Sequence, residues 1–324
     1  MPEVRSGSMT DNTAATMLEV SKHHDLIYDV GMYRGEDSEF YLRKGFRVIG
    51  FEADPDLAEL CRRRLARFVQ GGKLTVVEGA IVDSACLGAD QKSIRFFKGD
   101  DVSAWGTIHQ AWAERNEQLG ESIVAVAVPV TDFREALATY GIPRYMKIDI
   151  EGSDLLCLAA LSHFKHRPDY ISIESNKTAF SKLRNEIEMM SELGYTRFKA
   201  VEQSRIPTKQ SPPYPAREGA YADQTFVLGS SGLFGAELGG PWRSRRLILT
   251  HYWFVRSGYF FLGDNGIMNG WSFPGSRLAR FVIRRLLGFV TRNPVPGWYD
   301  THARHADADA HEVPTAAVGS GQIE

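Results

Sequence analysis

Short apolar runs alternate with segments of helical character along most of this 324-residue chain, and this alternation limits the fold more than any other feature. Glycines end several of the helical segments, as they commonly do after the last turn of a helix. Alternating strands and helices indicate a mainly parallel sheet with helices on both faces. The predicted strands are residues 25–30, 47–52, 74–79, 123–130, 144–150, 170–175, 196–201 and 223–228.

The segments of helical character occupy the stretches between most of these strands. Between 196–201 and 223–228 there is only a proline-rich stretch, which predicts an antiparallel hairpin at one edge of the sheet. The predicted fold is therefore an α/β, Rossmann-like arrangement with a mainly parallel seven-stranded sheet and a C-terminal appendage. The predicted helices are residues 38–45, 55–69, 132–141, 153–164, 179–194 and 277–292.

Composition divides the chain into four parts. Residues 1–21 are expected to form a flexible arm and 22–230 the main domain. Residues 231–302 are rich in glycine and aromatic residues and are expected to form an appendage or lid. Residues 303–324 are rich in alanine, aspartate and glycine, and we expect them to be disordered.

The overall charge argues against a nucleic-acid partner, because the formal net charge is −2 and the pI is about 6.5. The three cysteines are widely spaced and predict free thiols in a reducing cytoplasm. No apolar run reaches the roughly 18 to 20 residues of a membrane-spanning helix. The arginine-rich amphipathic segment 277–292 is either a helix packed on the core with a solvated basic face or a site that docks on a membrane surface or partner.

Two motifs predict a ligand site at the carboxyl end of the sheet. Asp29 begins the sequence DVGMYRGED, in which Gly31 and Gly35 are spaced differently from the glycines of dinucleotide-binding enzymes. About twenty residues later, Glu52 ends the second strand, where a carboxylate can accept hydrogen bonds from both hydroxyls of an adenosine ribose. Asp54 is either a further ligand or the N-cap of a helix that starts with Pro55.

The third motif is YMKIDIEGSD, in which Lys147, Asp149 and Glu151 occupy alternate positions as a strand ends. Alternate positions on a strand share one orientation, so these three charges are expected to face the same way. Burying such charges without partners is costly, which indicates either a functional site or an internally paired set.

Together the three motifs resemble those of the FkbM-type methyltransferases over residues 26–228. Tyr33 is a departure, since the family pattern has asparagine there. The resemblance implies a class I fold that binds S-adenosyl-L-methionine and transfers its methyl group to a hydroxyl of a small molecule or carbohydrate. It implies cofactor contacts from Asp29, Gly31, Gly35, Glu52, Asp54, Gly79, Ala80 and Asp149.

Methyl transfer from a sulfonium needs alignment of the acceptor and, for an alcohol, removal of a proton by a base. The predicted catalytic residues end strands, and the predicted acceptor contacts lie in a loop after the third strand. Lys147 either keeps the carboxylates charged, stabilises an oxyanion or forms a structural ion pair. The catalytic candidates are Lys147, Asp149, Glu151 and Glu174, and the acceptor candidates are Ser103 and Trp105.

Two other classes of function are also compatible with the sequence. A nicotinamide-dependent oxidoreductase would also use Glu52, and a pseudoenzyme would bind the cofactor without turnover. The sequence SPPYP at 211–215 imitates a motif of enzymes that methylate amino groups of nucleic acids, but it follows no apolar strand and indicates a proline-rich loop.

Overall fold

The strands form one large sheet and one small sheet in the computed structural model, which describes residues 17–83, 91–99, 106–108, 123–150, 152–175, 179–262, 267–268, 276–291 and 297–311. The large sheet has the order β3-β2-β1-β7-β8-β10-β9, and the small sheet has the order β4-β6-β5. In chain order the strands are β1 (Lys22–Val30), β2 (Arg47–Glu52), β3 (Leu74–Glu78), β4 (Ala80–Ile81), β5 (Ser93–Gly99), β6 (Ile123–Thr131), β7 (Ile142–Ile148), β8 (Tyr170–Glu174), β9 (Tyr195–Glu202) and β10 (Tyr299–His305).

The helices follow the amphipathic segments closely in the main domain. In the C-terminal part, an 18-residue helix, α8 (Arg245–Leu262), occupies a stretch in which the sequence predicted none. The described α-helices are α1 (Glu36–Arg43), α2 (Pro55–Arg64), α3 (Ala66–Gln70), α4 (Phe133–Tyr140), α5 (Asp154–Leu161), α6 (Phe180–Glu192), α7 (Ile206–Lys209), α8 (Arg245–Leu262) and α9 (Ser276–Thr291).

The large sheet confirms the predicted fold class, because six of its seven strands run in the same direction, β10 runs against them, and helices cover both faces. Strand β1 lies between β2 and β7, so the chain crosses to opposite sides of β1 as the sheet is built. Ligands of open α/β sheets bind beyond the carboxyl ends of the strands at such a switch point. The predicted motifs end β1, β2 and β7 and therefore meet at this point.

The predicted antiparallel hairpin was wrong. Residues 223–228 form no strand, and Val227 and Leu228 are 51% and 71% exposed. The antiparallel strand is β10, which lies between β8 and β9. Its sequence YDTHARH lacks an apolar run, although Thr301 and His302 are almost completely buried. Polar composition at a buried position is the reason that periodicity did not indicate this strand.

The predicted boundary between appendage and tail, at residue 302, falls inside β10. Residues 299–305 belong to the large sheet, so the chain leaves the sheet after β9, forms α8 and α9, and returns to fill the gap beside β8. A strand with neighbours on both sides satisfies its backbone hydrogen bonds in both directions, which fixes its place firmly.

Candidate functional site

The centre of the site is a buried ion pair between neighbouring strands. Parallel pairing places Asp29 of β1 directly beside Lys147 of β7, and the Lys147 ammonium lies 3.2 Å from Asp29 Oδ1. The ammonium also donates a hydrogen bond of 2.8 Å to the Gly31 carbonyl, and Ser38 Oγ donates to Asp29 Oδ2 at 2.6 Å. Both charged side chains are almost completely excluded from solvent. A buried charge of this kind requires a partner of opposite sign, which each supplies to the other.

Two further carboxylates surround the same ammonium. Asp37 Oδ2 lies 3.8 Å and Asp149 Oδ2 4.0 Å from Lys147 Nζ. Asp37, in the first turn of α1, also accepts the backbone N–H of Ser231. Burial raises the pKa of Asp37 to about 6, against the opposing attraction of Lys147. The attraction of the surrounding carboxylates raises the pKa of Lys147, although burial works in the opposite direction.

Asp149 differs from the other carboxylates in its access to solvent. Its side chain is 38% exposed, whereas that of Asp29 is fully buried. Desolvation raises the pKa of Asp149 to about 7, and the neighbouring carboxylates add to the effect while Lys147 opposes it. Its backbone N–H donates to the Val30 carbonyl, which holds the end of β7 against the end of β1. Asp149 is therefore an accessible carboxyl whose pKa lies near neutrality.

The glycine turn after β1 passes very close to the backbone after β7. Gly31 has a φ of 82°, and a Cβ atom built there would lie 1.9 Å from the Asp149 carbonyl oxygen. Tyr33 follows in the left-handed region with a φ of 51°. Asparagine adopts this conformation more readily than tyrosine, so Tyr33 occupies a backbone conformation that is unfavourable for its residue type. Tyr33 is accommodated with its ring under the Arg34 guanidinium at 5.0 Å.

Glu52, at the end of β2, is held by backbone groups on two sides. Its Oε2 accepts the N–H of Tyr33 and its Oε1 accepts the N–H of Asp54, each at 2.9 Å. Desolvation raises the pKa of Glu52 to about 7, although these hydrogen bonds act to lower it. Each oxygen of a carboxylate can accept two hydrogen bonds, so both oxygens keep the capacity to accept a hydroxyl.

Asp54 takes the role of helix cap. Its Oδ1 accepts the backbone N–H of Asp56 at 2.9 Å, at the start of α2, and also the Lys98 ammonium at 2.9 Å. The carboxylate of Asp54 is thus bonded to the start of α2 and to Lys98 of β5. Gly79 donates its N–H to the Glu52 carbonyl, and Ala80 follows as the first residue of β4. These two residues line up beside the end of β2, next to Glu52.

Two carboxylates from β8 and β10 join the same edge of the sheet. Glu174 ends β8 and is paired in register with Asp300 of β10. Asp300 is 8% exposed, and burial raises its pKa, with repulsion from Asp149 and Glu174 adding to the shift. Asp37 and Asp300 were missed as site residues in the sequence. Asp37 stood within the first motif, whereas Asp300 lies in a strand that carries no apolar signal.

Three predicted site residues, Glu151, Ser103 and Trp105, lie outside the described residues. Among the residues that the structure does describe, no group of three or more His, Cys, Asp and Glu side chains is arranged to hold a metal ion. In that same part of the chain, no helix is long and apolar enough to cross a bilayer. The loop that contains Ser211–Pro215 leaves Tyr214 84% exposed, against the ring of Tyr221.

A cleft lies farther along the carboxyl edge, between α6, α8 and β10. The cleft is shallow: the space between its lining atoms is about 280 Å³ with open solvent included, of which about 10 Å³ admits a water-sized molecule, and most of the lining is apolar. Ser175, the residue after Glu174, forms part of its wall and bonds the hydroxyls of Tyr252 and Thr301 at 2.8 and 2.6 Å. The cleft thus lies next to Glu174, at the end of β8, and Asp300, at the start of β10. Its lining includes Ser175, Phe180, Leu183, Tyr252, Arg256 and Tyr299.

Three solved structures of methyltransferases match parts of this chain at low sequence identity and with TM-scores of 0.35 or less. An FkbM methyltransferase from Methylobacillus flagellatus matches 56% of this chain and 41% of its own, with 18% identity and a TM-score of 0.35. An S-adenosylmethionine-dependent methyltransferase from Archaeoglobus fulgidus matches 86% and 85%, with 13% identity and a TM-score of 0.34. One from Thiobacillus denitrificans, in complex with S-adenosyl-L-homocysteine, matches 88% and 86%, with 10% identity and a TM-score of 0.31.

This chain therefore spans less than half of the FkbM structure from Methylobacillus flagellatus. No curated protein matches it in sequence. The sequence model of the FkbM methyltransferase domain, in contrast, matches residues 29–197, just over half of the chain. That region begins at Asp29 and contains Glu52, Lys147 and Asp149, whose side chains the fold places at adjoining strand ends. The chain thus belongs to the FkbM methyltransferase family, whose cofactor is S-adenosyl-L-methionine.

Proposed function

We propose that this chain transfers a methyl group from S-adenosyl-L-methionine to a hydroxyl of a small molecule or carbohydrate. The observation that carries the proposal is the set of carboxylates at the ends of β1, β2 and β7. Within it Asp29 and Glu52 are held by the fold, while Asp149 is accessible and has a pKa near neutrality. When bound, the cofactor supplies an electrophilic methyl group on a sulfonium.

The residues of the site have the chemistry that an adenosyl amino acid requires. Glu52 keeps acceptor capacity on both oxygens for the two ribose hydroxyls. Asp29 Oδ1 is buried without a hydrogen-bond donor, although Lys147 lies 3.2 Å away as its ion-pair partner. Asp29 Oδ1 could therefore accept a hydrogen bond from the amino group of the cofactor, whose amino-acid part would lie at the turn after β1. The Gly31 turn brings the backbone close to that part.

Asp149 is the best candidate for the base that accepts the acceptor's hydroxyl proton. It is exposed enough to meet an acceptor, and a pKa of about 7 suits a base that works near neutral pH. Lys147 then acts through the carboxylates that it contacts, since its ammonium is almost fully buried and bound to Asp29 and the Gly31 carbonyl. We assign Lys147 a positioning role.

Glu174 and Asp300 would form the far side of the acceptor site. They lie on adjacent strands beyond β7, next to the apolar cleft that includes Ser175. An acceptor bound there would present its hydroxyl between Asp149 and these two carboxylates. The unpaired, buried thiols of Cys61 and Cys157 are in keeping with a cytoplasmic location, which we include in the proposal.

The first test is ligand binding by the full chain, measured as a thermal shift. S-adenosyl-L-methionine and S-adenosyl-L-homocysteine should each raise the melting temperature in a concentration-dependent way, and NAD should not. If only NAD raised the melting temperature, the proposal would be wrong and the chain would be better described as a nicotinamide-dependent oxidoreductase.

The second test separates binding from turnover. Asp149→Asn should keep the thermal shift with S-adenosyl-L-homocysteine but lose most methyl transfer from labelled cofactor to a panel of hydroxylated acceptors. A general base contributes typically about 100- to 10,000-fold to the rate, so a loss of that size is expected. Transfer at the wild-type rate would refute the role of Asp149, and transfer only to amines would refute O-methylation.

A further inference from the structure

One stretch near the C-terminus carries a clear excess of positive charge, because acidic residues are almost absent from it. Residues 245–299 contain eight arginines and a single acidic residue, Asp264, although the whole chain has a net charge of −2. In the described part of that segment, α8 and α9 contain no acidic side chain. A strongly basic element in an otherwise slightly acidic protein indicates an anionic partner for that element.

Helix α9 has three distinct faces. Its inner face packs against the end of α8, where Ala279, Ile283 and Leu287 contact the cluster of Leu262 and Met268. The spacing of four residues places these three side chains on one side of the helix. That contact accounts for the position of α9, and most of the other described side chains of the helix are exposed to solvent.

The second face of α9 is apolar and exposed to solvent. Leu278, Val282, Leu286 and Phe289 follow one another at spacings of four, four and three residues, which makes a continuous stripe. Their exposed fractions are 66%, 44%, 61% and 84%. A fold that needed this stripe only for its own core would bury it, and a stripe of this length at the surface marks an interaction site.

The third face of α9 is basic and borders the apolar stripe. Arg277, Arg280 and Arg284 lie on it, while Arg285 stands between the two faces with its guanidinium 5.4 Å from the Phe281 ring. Phe281 is itself 56% exposed. An apolar stripe flanked by arginines, with no acidic residue in the helix, is typical of helices that lie in the headgroup region of an anionic bilayer.

We propose that α9 docks this methyltransferase on an anionic lipid surface, with the apolar stripe inserted among the acyl chains and the arginines at the phosphates. The alternative occupant, a second copy of the chain, is less well matched, because two basic faces brought together would repel each other. A bilayer supplies both the apolar depth and the negative charge.

The same helix is close in sequence to the proposed acceptor site. Eight residues separate the end of α9 from Asp300, whose strand borders the cleft lined by Tyr299 and by Tyr252 of α8. Docking through α9 would therefore bring that cleft near the membrane. This addition rests on the proposed function and favours an amphiphilic, lipid-borne acceptor. Docking itself does not depend on the chemistry of the reaction.

The test is co-sedimentation of the full chain with vesicles, which needs no substrate or activity. Vesicles of phosphatidylcholine with about one-third phosphatidylglycerol should bind the wild-type chain. Vesicles of phosphatidylcholine alone, or 0.5 M salt, should reduce binding at least tenfold, because attraction between exposed arginines and phosphates is screened. Equal binding to both vesicle types, or none to either, would overturn the proposal.

Two variants locate the surface. L286E with F289E places charge in the apolar stripe and should abolish vesicle binding, while R284A with R285A should weaken it about tenfold or more. Leu228→Glu is the matched control, since Leu228 is 71% exposed but lies outside α9, and it should bind like the wild type. Thermal melting and S-adenosyl-L-homocysteine binding should be unchanged in all three.

Gel filtration with light scattering distinguishes the other occupant. One outcome would assign the stripe to a contact between copies of the chain and overturn the membrane proposal. In that outcome the wild type is a dimer, the double variant L286E with F289E is a monomer, and neither protein binds vesicles. A monomeric wild type that binds anionic vesicles through the stripe is the result that we expect.

Discussion

Lys147 shows how the site combines stability with function at the scale of a single residue. Its ammonium lies within 4.0 Å of Asp29, Asp37 and Asp149 and is almost completely buried. Removing one partner of a buried ion pair costs about 3–5 kcal/mol, because the remaining charges lose their compensation. Lys147→Met should therefore lower the free energy of unfolding by about this amount at pH 8, as measured by urea denaturation.

The loss in Lys147→Met should become smaller at pH 5, since the carboxyls left without the ammonium bind protons there. Lys165→Met is the matched control. Its ammonium pairs with Glu19 at 2.9 Å, but both side chains are exposed, and such pairs contribute at most about 1 kcal/mol. If the two variants lost the same free energy of unfolding, or if the loss in Lys147→Met did not change with pH, Lys147 would not be compensating the charge of the buried carboxylates.

Glu52 should give the protein a measurable pH dependence. Its pKa is raised from 4.5 to about 7 by burial, so the folded chain binds a proton more tightly than the unfolded chain does. The corresponding stability is complete below about pH 4.5 and is lost as the pH rises through 7. Asp37 and Asp149, with pKa values near 6 and 7, act in the same direction.

Glu52→Gln should therefore make the fall in stability between pH 5 and 8 shallower, as followed by thermal melting across that range. It should also weaken binding of S-adenosyl-L-homocysteine, because an amide offers one acceptor oxygen instead of two. The comparison of variant with wild type at each pH isolates Glu52 from the other titrating groups. An unchanged slope together with unchanged affinity would show that Glu52 neither titrates nor binds the ribose.

Gly31 offers a test of the close approach between two strand ends. Gly31→Ala would place its methyl 1.9 Å from the Asp149 carbonyl oxygen in a conformation with positive φ. Gly72→Ala is the matched control, because Gly72 also has positive φ but has nothing within 4 Å of the added Cβ. The control should cost about 1–2 kcal/mol, and Gly31→Ala should cost clearly more or prevent folding. Similar costs would mean that the two strand ends can separate freely.

At the scale of elements, Asp54 makes two contacts at the start of α2 that substitution can separate. Asp54 caps the helix through the N–H of Asp56 and binds the ammonium of Lys98. Asp54→Ser should retain the cap and lose the ion pair, whereas Asp54→Ala should lose both. The free energy of unfolding of Asp54→Ala, measured by urea denaturation, should therefore be about 1 kcal/mol lower than that of Asp54→Ser. Asp132, which caps α4 through two backbone N–H groups, is the control for a cap away from the site.

Binding of S-adenosyl-L-homocysteine then reports on the second role considered for Asp54. If Asp54 only caps α2, Asp54→Ser should bind as tightly as the wild type, and Asp132→Ala should do so too. A loss of affinity in Asp54→Ser alone would assign Asp54 to the cofactor.

The elements that the sequence predicted well are those with a regular apolar pattern. Strands β1, β2, β7 and β8 each contain a short group of apolar residues, and the motifs at the ends of β1, β2 and β7 placed Asp29, Glu52 and Asp149 at one edge of the sheet. Parallel pairing of adjacent strands then makes these side chains neighbours, which is why the centre of the site could be predicted.

The elements that the sequence did not predict lack such a pattern. Strand β10 is polar, and its burial comes from the strands on either side of it. In α8, aromatic residues and arginines lie on several faces, so no single apolar stripe stands out. Pairing of Asp300 with Glu174 spans more than a hundred residues, and a local pattern carries no information on a contact of that length.

At the scale of the whole molecule, β10 ties the C-terminal part to the catalytic domain. Truncation after residue 298 would remove the strand between β8 and β9, together with Asp300. We expect this chain to be largely insoluble or to lose cooperative unfolding by circular dichroism, because two strand edges would be left unpaired. Truncation after residue 311 keeps β10 and should melt like the full chain. Cooperative folding of the shorter chain would show that β10 is dispensable.

The position of β10 in the sequence also means that the large sheet can be completed only late in synthesis. The strand occupies an interior place in the sheet, yet it emerges from the ribosome about a hundred residues after β9. If β8 and β9 fold before β10 is synthesised, the strand edges that β10 joins in the final sheet have unpaired backbone groups, which can pair with other extended peptides. Helices α8 and α9 are translated during that interval, so a partner that binds them early would also affect when β10 can enter the sheet.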